Sequence, residues 1–106
     1  MRRGEVWWAE MPPPWGRRPV VLLARDEAYR LFDWVLVAPI TTRIRNIPST
    51  VLLDPTNDGV PRPSVVLLDA LQPIHREWLD THITMLDQVT MRAVDRAILF
   101  ALGVRP

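Results

Sequence analysis

The chain has 106 residues, 48% of them hydrophobic, a length that folds around one core and buries roughly two-thirds of its extended surface. It contains no cysteine, which excludes a disulfide framework and a thiolate metal site. The formal net charge of +1 selects no class of partner, yet all 13 Lys+Arg positions are arginine, the cation whose planar fork meets phosphate bidentately and stacks on flat faces.

From the N-terminus, MRRGEVWW passes from charge into a short apolar patch and then meets Glu10 and Pro12 to Pro14. No apolar run has the length of a signal peptide or a membrane span, so a soluble, cytoplasmic protein is expected. GEVWWAEM, Gly4 to Met11, has the β-branched and aromatic content of a strand, closed by PPPWG. Adjacent Trp7 and Trp8 must then face opposite sides, one entering the core and the other covering a surface or a subunit seam. PVVLLA, Pro19 to Ala24, is a continuous apolar run of strand length, opened by a proline where a first strand position tolerates it. A central strand buried on both faces is predicted there, with Arg17 and Arg18 fixed at its lip.

Arg25 to Asp33 reads as a polar connection, and DWVLVAPITT, Asp33 to Thr42, as the third strand. STVLL, Ser49 to Leu53, is the fourth, and PTNDGVPRP after it is the clearest loop in the chain. SVVLLDAL, Ser64 to Leu71, is the fifth, with Asp69 set into its apolar run. HREWLDTHI, His75 to Ile83, is read as a connection holding a short helical turn around Trp78. His75 and His82 do not match the spacing of a zinc site, and a surface or helix-terminal role suits them. Finally Asp87 is placed as an N-cap, apolar residues recur at Val89, Ala93, Val94, Ala97, Ile98, Ala101 and Leu102 on one helical stripe, and Gly103 supplies the stop. Five short strands and one packing helix, in a single domain over residues 1–106, make a mainly β (α+β) fold: a small, partly open antiparallel barrel of SH3-like type.

Five stretches, in this order and spacing, carry a resemblance: RRGEVWWAEMPPP, GRRPVVLLARD, VLVAPITTRIR with IPSTVLL, SVVLLDALQPI, and LDQVTMRAVDRAILFALG. Together they cover essentially the whole chain, which resembles the MazF/PemK-type toxins of bacterial toxin–antitoxin pairs. The resemblance implies a homodimeric endoribonuclease, specific in sequence, that cuts single-stranded RNA without a metal or any other cofactor and is silenced by a partly disordered, acidic MazE-like antitoxin. It also implies a catalytic pair: Arg18, immediately before the strand-opening Pro19, and Thr41, after the Pro39–Ile40 step. Two departures stand out. The loop before the arginine lacks the glutamate of many relatives, which leaves the proton acceptor open, and Arg30 follows Tyr29 where many relatives have asparagine, which bears on base preference.

Cleavage of RNA by its own 2′-hydroxyl requires in-line alignment, stabilisation of charge on the phosphorane, and two proton transfers. A guanidinium suits the second task because its fork reaches two non-bridging oxygens; as a base it is poor, since it holds its proton at neutral pH. Arg18 therefore takes charge stabilisation, with donation to the leaving oxygen as a further option. Thr41 orients the attacking hydroxyl or bonds the phosphate. Glu5, Asp69 or a group from the second subunit are the candidates for proton acceptor, while Asp69 equally suits an arginine pair or a backbone cap. Around this pair, Arg17, Thr42 and Arg43 are expected to contact the RNA. Arg43 and Arg45 share a face if the third strand continues past Thr42, and are ordinary loop charges if it stops. Trp15, between Pro14 and Gly16, is the candidate base-stacking platform, the alternative being a clamp on its own proline loop; Trp34 and Trp78 are left to packing. A CcdB-like toxin of the same fold, binding gyrase with no chemistry, is the alternative function.

Overall fold

A computed structural model describes residues 1–105. Strands β1 (Glu5–Glu10), β2 (Arg17–Leu22), β3 (Trp34–Thr41), β4 (Thr50–Leu53), β5 (Ser64–Leu67), β6 (Gln72–His75) and β7 (Leu79–Met85) build the sheet. Helix α1 (Ala28–Leu31) and helix α2 (Pro55–Asp58) are single turns, and α3 (Gln88–Leu102) is the one long helix. The strands run in the order β4-β5-β3-β2-β1-β7, with β6 attached to β3, in one antiparallel sheet whose ends do not meet.

Continuous apolar runs became the central strands because both faces of the sheet are covered. Along β2, Val21 and the following Leu23 enter one core cluster, while Val20, Leu22 and Ala24 enter the other. The same alternation sends Ala38 and Ile40 of β3 to the first cluster and Val35 and Val37 to the second. The first cluster is roofed by α3 through Val94 and Ala97, with Met91, Ile98 and Ala101 alongside. Tyr29 seals the second: it is buried, its hydroxyl donates to the Ala24 carbonyl at 3.0 Å, and burial pushes the phenol well above its ordinary range.

Four of the sequence expectations change, the first being that the buried residues form two clusters where one core was expected. The sheet has seven strands where five were expected, because two were hidden. The fifth predicted strand, Ser64 to Leu71, breaks at a 3₁₀ turn over Leu68–Ala70 and resumes as β6. The break lets one edge of β3 hold two partners in succession, β6 against Trp34–Val37 and β5 against Ile40 and Thr41. The expected helical turn around Trp78 exists only as a 3₁₀ turn over Arg76–Trp78, and the rest of that segment is β7, paired with β1. Strand β7 is mostly exposed at an edge, and its alternation of Leu79, Ile83 and Met85 with Asp80, His82 and Thr84 is weakened by the polar Thr81, so the segment reads poorly as a strand. Helix α3 matches its prediction: the Asp87 side chain accepts from the Thr90 amide at 2.8 Å and Gly103 closes the helix at φ 70°. Val89 and Leu102, assigned to the packing stripe, are exposed at its two ends.

Candidate active site

The register between β2 and β3 sets the site. Val20 lies opposite Pro39, Val21 opposite Ala38 and Leu22 opposite Val37. The ladder stops at Val20 and Pro39, each two residues short of Arg18 and Thr41, so these two residues, 23 positions apart in sequence, lie at the same end of the β2–β3 pair. Both residues line a cleft of about 290 Å³, shared with Trp8, Arg17, Pro19, Ile40, Thr42, Pro61, Arg62 and Ser64. An adjoining cleft of about 310 Å³ is lined by Trp15, Thr41, Arg43, Arg45, Val65 and Leu67, so Thr41 stands between the two.

Strand alternation separates the neighbouring arginines. Arg18 has the parity of Val20 and turns toward Trp15: its Nε donates to the Trp15 carbonyl at 2.6 Å, and its guanidinium carbon lies 5.4 Å from the centre of the Trp15 ring. The PPPWG loop thus grips the Arg18 stem by its own backbone. Arg17 has the opposite parity and turns toward Trp8, with 5.1 Å between guanidinium carbon and ring centre. It makes a two-pronged ion pair with Asp80 of β7, its Nη2 donating to Oδ1 at 3.1 Å and its Nη1 to Oδ2. Hydrogen bonds from Arg17 and then from Thr81 hold the Asp80 carboxyl below its ordinary range.

Thr41 is half-buried, and its Oγ1 accepts from the Arg43 amide at 3.2 Å. A threonine hydroxyl has one proton to donate and a second lone pair, so it can still bond an entering phosphate oxygen. Strand β3 ends at Thr41, which makes Arg43 and Arg45 loop residues; both nevertheless line the cleft beside Trp15. Among the described residues Arg18, Arg43, Arg45 and Arg62 form no ion pair, leaving a cationic rim around Thr41.

The six residues singled out from sequence, Arg18, Thr41, Arg17, Trp15, Thr42 and Arg43, all line one or other of the two clefts. The suggested proton acceptors do not. The Glu5 carboxylate accepts from Trp7 Nε1 at 2.9 Å and lies 4.0 Å from His82 Nε2, and Asp69 accepts from the Ser49 hydroxyl at 2.5 Å. Sequence reasoning missed Trp8 and Arg62. Arg62 sits between Pro61 and Pro63, which is the arrangement that drew attention to Arg18: a cation mounted in a stiff proline loop.

Comparison with known proteins agrees with this architecture. The family model described as "PemK-like, MazF-like toxin of type II toxin-antitoxin system" matches residues 2–102. The probable endoribonuclease MazF5 of Mycobacterium tuberculosis is 44% identical over 100 residues, covering 94% of this chain and 91% of that protein. Endoribonuclease EndoA of Bacillus subtilis is 32% identical over 111 residues, covering 98% and 96%. Among solved structures, the Mycobacterium tuberculosis toxin MazF-mt6 superposes with a TM-score of 0.87 at 30% identity, over 96% of this chain and 99% of that one. A mycobacterial endoribonuclease in complex with its cognate antitoxin shares the fold, with a TM-score of 0.88 at 23% identity over 100% and 98%. With its strand order, its arginine-rimmed clefts and a match running almost end to end, the chain belongs to the PemK-like, MazF-like toxins of type II toxin–antitoxin systems.

Proposed function

We propose that this chain is a sequence-specific endoribonuclease that cleaves single-stranded RNA and so arrests translation, its whole length acting as one toxin domain in the cytoplasm. The supporting observation is that Arg18 and Thr41, at the same end of the β2–β3 pair, line one arginine-rimmed cleft. In this reading the 2′-hydroxyl attacks the adjacent phosphorus, the 5′-oxygen departs, and the products are a 2′,3′-cyclic phosphate and a 5′-hydroxyl. Arg18 offers two parallel N–H donors to the non-bridging oxygens, where negative charge grows, and Thr41 holds the phosphate or the attacking hydroxyl in line. Rigidity matters here, because a donor already fixed in place by the Trp15 carbonyl loses little entropy when charge develops. Arg43, Arg45 and Arg62 supply phosphate contacts along the flanking backbone. The chain acts as a homodimer and is held silent by an acidic antitoxin segment that folds onto the cationic clefts. Both curated relatives carry endoribonuclease names, which weighs against the gyrase-binding alternative.

The test is cleavage of a mixed transcript by purified protein in EDTA, with the 5′ ends mapped and the 3′ ends tested for cyclic phosphate. The expected result is cutting at one short recognition word, lost in Arg18→Ala by about 10²–10³-fold in kcat with the circular dichroism spectrum unchanged. Intact RNA with a folded wild-type protein, or full activity in Arg18→Ala, overturns the reading.

A further inference from the structure

Arg17 lines the same cleft as Arg18, yet its surroundings differ from those of every other cation there. It lies directly opposite Glu10 in the β1–β2 register, with 3.9 Å between Nη1 and the carboxylate, and it is also bound by Asp80. Two carboxylates around one guanidinium neutralise its charge, so Arg17 itself offers little to a phosphate. What remains is flatness: the guanidinium rests on the Trp8 ring, and both groups face the cleft.

The fold builds this corner deliberately. Asp80 comes from β7, two strands away across β1, and a shift in register carries it there. Trp8 pairs with Thr81 and Ala9 pairs with Leu79, which leaves Asp80 as the extra, unpaired residue of a bulge. A bulge residue is released from regular alternation and re-aimed, here across Trp8 onto Arg17. Thr81 Oγ1 donates to Asp80 Oδ1 at 2.8 Å and fixes the carboxylate further.

We propose that Trp8 and Arg17, clamped by Asp80, form a stacking subsite for one nucleobase of the RNA, with Asp80 its positioning residue. The inference rests on the RNA-directed reading given above. Single-stranded RNA presents unstacked bases that lie on aromatic rings and on arginine planes, a contact indifferent to the charge that Asp80 has cancelled. The two adjacent arginines thereby divide the work: Arg18 addresses the backbone, and Arg17 addresses a base.

The probe is a short single-stranded RNA, chosen as the tightest binder from a random pool and 2′-O-methylated so that it is not cut. Its affinity is measured by fluorescence anisotropy, intact and with an abasic site at each position in turn. In wild-type protein one abasic position is expected to weaken binding by about tenfold, the scale of a single base–aromatic stack. In Asp80→Asn and in Trp8→Leu that penalty disappears while penalties at other positions persist, and Asp80→Glu restores it. Loss of fold stability alone would weaken all positions together and leave no position-specific effect. The proposal is overturned if the penalty survives in Asp80→Asn. It is equally overturned if Asp80→Asn tightens every probe uniformly and steepens the salt dependence, because Arg17 is then a masked phosphate contact. Since the probe is never cut, a wild-type protein that cleaves no RNA sinks the nuclease reading and leaves this measurement intact.

Discussion

The Thr41 hydroxyl already accepts the Arg43 amide, so its single proton is free for whatever enters the cleft. Thr41→Ser keeps that proton and is expected to retain cleavage, whereas Thr41→Val keeps the shape and loses the donor. Single-turnover kinetics should show a fall of roughly 10²-fold in the rate of the chemical step for the valine variant, with RNA affinity little changed. Arg18 was legible in the sequence because its mount is local: the loop, the arginine and the strand-opening proline are consecutive. The surroundings of Arg17 were not legible, for the opposite reason. Read alone it is a loop cation available to phosphate, but the carboxylate that occupies it lies 63 positions away and arrives only through a bulge.

Among the elements, those with local signals were readable and those with borrowed stability were not. Helix α3 declares both its ends, and its N-cap gives a pH-dependent expectation. Backbone and side-chain hydrogen bonds from Thr90 lower the Asp87 carboxyl below its ordinary 3.8. The folded-state pKa is depressed, so the capping contribution is fully present above about pH 4 and disappears as pH falls through the folded value. Melting temperatures of wild type and Asp87→Asn, compared across pH, should differ at neutral pH and converge in acid; a gap independent of pH would exclude a charge-assisted cap. The loop between β4 and β5 makes a second, steric expectation. Gly59 has φ 75° and a Cβ there would fall 2.6 Å from Thr84 Oγ1, whereas Gly103 has φ 70° with nothing within 4 Å. Both alanine substitutions incur the left-handed penalty of about 1–2 kcal/mol. Gly59→Ala should cost more than Gly103→Ala in urea unfolding, because only it must also displace the Thr84 side chain; equal losses would show that Thr84 yields freely.

At the scale of the whole molecule, one sheet separates two cores, and its central strands belong to both. Leu53 is 1% exposed in the cluster under α3, and Leu22 is 0% exposed in the cluster on the other face. Each Leu→Ala change is expected to destabilise by about 2–5 kcal/mol through lost contacts and a residual cavity. Because the two sites share no cluster, the double variant should equal the sum of the singles within about 0.5 kcal/mol in urea unfolding. A larger discrepancy would mean that the sheet transmits strain from one face to the other. The same two-sided burial explains which strands could be read from sequence. The runs Val20–Ala24 and Val35–Ile40 are apolar at every step because each step is buried or packs against a core, and their length excludes a helix.

Sequence by itself determined the central strands, the capped helix, the cationic proline loop and, through five ordered segments, the family. Each depends on residues within a few positions of one another or on a pattern that burial imposes directly on composition. Tertiary structure alone decided that LDTHITM is an edge strand, that the Ser64–Leu71 run splits between two stretches of β3, and that Arg17 is spent on Asp80 while Arg18 stays open. Hydrogen-bond ladders at an exposed edge and charge pairs across a bulge take their energy from partners distant in the chain, and such energy leaves no local trace in the order of the amino acids.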